Sequence, residues 1–174
     1  MFSRFSQAAA VAMTLVAGAA FAQAAKPTDP QIAHIAYTAG VLDIEGAKQA
    51  LAVSKNADVR AFADQMVKDH TAVNDQALAL VKKLNVTPQD NDTSKALTKA
   101  AEAKRAELAK LTGAAFDKAY IANEVQYHKT VNGALETTLI PSSTNAELKS
   151  LLQTGLKIFQ GHQAHAEMTA AKVK

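Results

Sequence analysis

Taken at about 100° per residue, the apolar side chains of this chain gather into helical stripes from residue 31 to the C-terminus. Five helices are predicted. The first covers 31–54, with Ile35, Val41, Leu42, Ala52 and Val53 on an arc shared with His34, Thr38 and Glu45. The second opens at Asn56, a good N-cap, and carries the cleanest stripe: Val59, Phe62, Met66, His70, Val73, Ala77, Leu80 and Leu84. Asn85 and Pro88 end it. A third helix over 94–111, capped by Asp92 or Thr93, has only Leu97, Ala101, Leu108 and Leu111 on its stripe. The rest of its surface is Lys, Arg, Glu and Ala, which reads as a solvated face. Thr112-Gly113 breaks the pattern and a fourth helix runs to about Leu139. After the turn at Pro141-Ser142-Ser143, Thr144-Asn145-Ala146-Glu147 reads as a capping box. The fifth helix then shows an inward stripe through Leu148, Leu151, Leu152, Gly155, Phe159, His162 and Ala166, with His165 at its edge.

Several stripes contain residues that are costly to bury. On the fourth helix Phe116, Tyr120, Tyr127, Val131 and Leu135 form the apolar arc, and Asp117, Glu124 and His128 lie near its centre. His70 and His162 stand where apolar residues belong, and Glu45 lies between Val41 and Leu42 on the helical wheel. Asp69, about 100° from His70, points to solvent or bonds to another helix. A buried carboxylate or imidazole needs a partner, a hydrogen bond or a metal. Two readings stay open: a ligand or metal site inside a bundle, or a polar network that fixes helix pairing.

The short break near Lys55 makes a hairpin of the first two helices. If the charge-rich third helix carries the chain back across the outside, the second and fourth run parallel. Glu45, His70, Glu124, His128 and His162 then fall within a band about two turns deep.

Composition supports helix: Gly and Pro number only 7 and 4 in 174 residues. The first residues are read separately. Arg4, the apolar run Ala8 to Ala20 and Ala20-Phe21-Ala22 make a secretory signal peptide over 1–22, followed by a linker over 23–30 and one helical domain over 31–174. The expected destination is the periplasm or the medium. No Cys is present, so helix packing stabilises the fold without disulfides. A net charge of +3, or +2 without Arg4, gives no reason to expect a nucleic-acid partner, and no membrane span is predicted. No protein partner can be read from the sequence, and no motif for nucleophilic, phosphate-loop or paired-carboxylate catalysis is present.

Several motifs carry a resemblance. Glu45-x-Ala47, the run Val59-Arg60-Ala61-Phe62-Ala63 leading to Met66-Val67-x-Asp69-His70, Phe116-Asp117-x-x-Tyr120 and Glu124-Val125-x-x-His128 are joined by Leu148-Lys149 and His162 on the last helix. With the signal peptide, this pattern resembles a family of bacterial exported domains of unknown function that carries an outer-membrane-protein label. The resemblance covers nearly all of the mature chain and implies an all-α, ferritin-like antiparallel four-helix bundle with a short connecting helix. It implies no established activity, and neither barrel strands nor membrane helices are predicted. Di-iron bundles use Glu-x-x-His pairs. Here Glu124 and His128 are four apart, and no Glu stands three before His162. A metal at His70, Glu124, His128, His162 and Glu45 would therefore be a single ion (Zn, Cu, Fe or Mn) rather than a di-iron centre.

Overall fold

The computed structural model describes residues 26–173, and the expected signal peptide lies outside them. Every regular element among the described residues is helical: α1 (Asp29–Val53), α2 (Ala57–Lys83), α3 (Asp92–Leu108), α4 (Gly113–Ala134) and α5 (Ala146–Lys172). A π-helical turn, Leu135–Leu139, and a final turn, Ile140–Ser142, extend α4. In that extension the Ile140 N–H reaches back to the Leu135 carbonyl.

Helix ends follow local chemistry, with several shifts from expectation: α3 ends at Leu108 rather than 111, and Pro141 and Ser142, expected in a turn, lie in the last helical turn. α1 starts two residues early, because Pro30 falls in the first turn, where its missing N–H costs nothing. α3 is capped by Asn91, whose Oδ1 accepts from the Ser94 N–H at 3.0 Å, and not by Asp92 or Thr93. α5 is capped by Asn145, which accepts from Glu147 and Leu148 N–H, both at 3.0 Å. Thr144 is drawn elsewhere. It donates through its backbone N–H to Asp29 at 3.0 Å, and Asn145 N–H does the same at 2.9 Å. Burial works against the ionised Asp29 carboxyl, but these bonds win and hold it below its ordinary value.

The Asp29 bonds place the start of α1 beside the α4–α5 turn. At the other end Lys172 reaches Asp58 at 3.3 Å, so α5 finishes beside the α1–α2 turn. α3 starts near the first end, where Asn91 donates to the Gln31 carbonyl, and finishes near the second, where Gln49 donates to the Arg105 carbonyl. α3 thus carries the chain back, and α2 and α4 run parallel. α1 packs on α2, α2 on α5 and α5 on α4, while α3 lies against α1 and touches α4.

Two apolar clusters fill the interior. One, near the α1–α2 turn, holds Phe62, Met66, Phe116, Tyr120, Ile121 and Ala166. The other, toward the α4–α5 turn, holds Ile32, Ile35, Leu135, Leu139, Leu148, Leu152 and Phe159. A polar layer separates them.

Candidate functional site: a buried histidine–carboxylate layer

Each of the four core helices contributes to that layer at the point where its stripe passes from one apolar cluster to the other. α1 gives Asp43, between Ile35 and Ala47; α2 gives His70, after Met66. α4 gives Glu124 and His128, after Ile121, and α5 gives His162, between Phe159 and Ala166. All five are buried, none more than 3% exposed.

The five groups converge. Asp43 Oδ2 lies 3.3 Å from His70 Nε2 and 3.4 Å from His128 Nε2. His128 Nδ1 is 3.7 Å from Glu124 Oε2. The ring centroids of His70, His128 and His162 stand 5.2 to 5.9 Å apart. Two triads, His70–His128–His162 and Asp43–Glu124–His128, each present donor atoms within 4.8 Å of one another. Packing holds the rings in place: Phe159 stacks on His70 with centroids 4.6 Å apart and planes 10° from parallel.

Hydrogen bonds at the back of the rings assign the tautomers. His128 Nδ1 sits 3.0 Å from the Glu124 carbonyl oxygen, which can only accept, so Nδ1 carries the proton. His162 Nε2 sits 3.0 Å from Asp69 Oδ2, so by the same reasoning Nε2 donates. The remaining nitrogens, His128 Nε2 and His162 Nδ1, therefore bear lone pairs. Neither has a hydrogen-bond partner, and the same is true of both His70 nitrogens, both Asp43 oxygens and Glu124 Oε2. The Asp43–imidazole approaches are close but lack hydrogen-bond geometry.

Burial sets the electrostatics. It pushes Asp43 up to about 8, and it raises Glu124 well above the usual carboxylate range, helped by the nearby Asp43 charge. Burial pulls His128 down to about 4, and burial together with the neighbouring His162 and His128 holds His70 well below the usual imidazole value. His162 is lowered by burial too, although Asp69 opposes the shift. All three imidazoles are neutral at pH 7, the form that ligates metals.

Of the residues expected from sequence, His70, Glu124, His128 and His162 come together. Glu45 does not: it is exposed and pairs with Arg105 at 2.9 Å. Asp43 takes the place expected of it. On α1 the buried face runs through Ala39, Gly40, Asp43, Ala47 and Ala50, and small residues carry little weight in an apolar stripe read from sequence. Asp69 takes the second of its two expected roles, bonding to another helix. Asp117 is buried at the start of α4 but outside both triads.

Two cavities adjoin the layer. One of about 60 Å³, almost wholly apolar, reaches His70 and His128 from the α4–α5 end. The other, about 270 Å³, lies beneath α3 and reaches Asp43 and Glu124. Among the described residues no helix is long and apolar enough to cross a membrane.

No curated protein and no solved structure matches this chain. A family model does match, from residue 14 to residue 169, and the chain belongs to that family, described as Domain of unknown function (DUF4142).

Proposed function

We propose that this protein is an exported, ferritin-like helical bundle that holds one transition-metal ion in its core. The ligands are drawn from the two triads that share His128: His70 and His162 on one side, Asp43 and Glu124 on the other. One observation carries the reading: the inward-facing atoms of this layer, buried as they are, have no hydrogen-bond partner. Two tautomer-fixed lone pairs, a third unpartnered imidazole and a carboxyl group face one another between the two apolar clusters. Each buried polar atom left unpaired costs about 1–3 kcal/mol. One cation satisfies them together.

The distances support the same conclusion. Donors arranged tetrahedrally at about 2.0–2.2 Å from an ion sit about 3.3–3.6 Å apart. The His70–Asp43 and His128–Asp43 separations are 3.3 and 3.4 Å. The back-side bonds from His162 to Asp69 and from His128 to the Glu124 carbonyl are the outer-shell contacts that orient metal-bound imidazoles. Imidazole nitrogens and carboxylate oxygens suit Zn, Cu, Fe or Mn, and the absence of Glu-x-x-His pairs argues against a di-iron centre.

Export to the periplasm or the medium is proposed from the leader pattern alone, tested by N-terminal sequencing of the protein recovered from each fraction. Elemental analysis of the untagged protein, before and after dialysis against chelator, tests the metal. About one transition-metal ion per chain, lost in His128→Ala with helicity retained, is the expected result. A metal-free protein that takes up no added metal would refute the reading and leave the layer as a device for helix pairing.

A further inference from the structure

The larger cavity lies on the carboxylate side of the polar layer, between α1, α3 and α4. No histidine lines it. Its wall toward the layer is Asp43, Glu124 and Tyr120, and its outer side is α3, which contributes Leu97, Ala101 and Arg105. Two of the wall groups are buried and unpartnered: Tyr120 is 0% exposed with a free hydroxyl, and Glu124 is 2% exposed with a free Oε2. α3 itself is held lightly, burying only Ser94 and Leu108.

A glycine sits at the inner end of this cavity. Gly46 is in the interior of α1, where glycine weakens a helix relative to alanine. A Cβ there would meet no helix or backbone, and only Glu124 Oε1 at 3.8 Å. Close approach of another helix therefore does not demand glycine at this position. The glycine keeps the space in front of Glu124 clear. Gly40, one and a half turns earlier, differs: a Cβ there would lie 2.4 Å from Asn74 Oδ1, so helix contact accounts for it.

We propose that the cavity beneath α3 is the entry route and seat for a small oxygen- or nitrogen-donor anion that reaches the metal on its Asp43–Glu124 side. The inference rests on the metal reading above. Lys104 and Arg105 of α3 line the cavity and supply positive charge for such a ligand, and the unpartnered hydroxyl of Tyr120 is a hydrogen-bond donor to it. On the histidine side the rings are packed by Phe159 and Phe62, and the cavity that reaches them is smaller, about 60 Å³, and almost wholly apolar.

Azide titration of the cobalt(II)-loaded protein tests this, read by the visible spectrum of the metal. The wild-type spectrum is expected to shift saturably. Gly46→Leu and Ala101→Phe, which fill the cavity from opposite walls at positions that are not ligands, should each retain one cobalt per chain and weaken azide binding at least tenfold. Two variants guard against one that fails to fold. A wild-type spectrum indifferent to azide, or azide binding unchanged in both cobalt-loaded variants, would overturn the proposal. Failure of the wild type to bind cobalt is a different result, which refutes the metal reading and this inference with it.

Discussion

Asp43 and the imidazoles it faces have opposite preferences for protons, and this shapes stability without metal. Asp43 moves from 3.8 to about 8 on folding. Between those values the folded chain holds a proton that the unfolded chain has lost. The resulting stability is complete at low pH and disappears as pH rises through 8. His128 moves from 6.5 to about 4, so its contribution is present above 6.5 and is lost as pH falls through 4. Above pH 6.5 only the carboxyl effect remains. The metal-free protein should therefore lose thermal stability between pH 6.5 and pH 8.5, and Asp43→Asn should flatten that slope. Melting curves of chelated protein check both, and a flat wild-type profile would contradict the burial of Asp43. At the same scale, Asp69→Asn removes the carboxylate behind His162. It should lower metal affinity roughly 10- to 100-fold while leaving the helices intact, measured by competition with a chelator. The histidines were legible in the sequence because each interrupts a stripe of large apolar residues. Asp43 was not, because its neighbours on the buried face are alanine and glycine.

Among the elements, α1 departs furthest from the pattern read in sequence. Ile35 and Leu42 of the predicted arc are buried, but between and beyond them the buried face is made of small residues, Ala39, Gly40, Ala47 and Ala50, so an arc extended through Val41 and Val53 is rotated and brings in the exposed Glu45. The other helices bury long side chains, and their stripes could be read directly. Substitutions at the two α1 glycines separate contact from conformation. Gly46→Ala should stabilise the fold by about 0.5–1 kcal/mol, the helix-propensity gain with no steric cost. Gly40→Ala should destabilise it, because Asn74 is buried and must move. Urea denaturation of both variants measures the signs, and a stabilising Gly40→Ala would contradict the helix contact described here. Capping was only partly legible. Thr144 has the chemistry to start α5, but Asp29, more than a hundred residues away, draws it off and Asn145 caps the helix instead. Sequence spacing does not reveal that competition.

For the whole molecule, the return path of α3 decides the site. Because α3 runs the full length of the outside, α2 and α4 are parallel, and His70 and His128 arrive at the same depth as His162. The polar layer then divides the core into two apolar clusters that meet only through it. A metal ion there would tie four helices together. At free metal about 100-fold above Kd the gain is about 2.7 kcal/mol, which for a domain of this size raises Tm by roughly 5–10 °C. The most direct test of a metal at this unpartnered layer is a cobalt(II) titration of chelated protein followed by visible absorption. The account predicts bands of a low-coordinate nitrogen–oxygen site that saturate at one cobalt per chain and vanish in His162→Ala. A spectrum indistinguishable from cobalt in buffer at every ratio would contradict it.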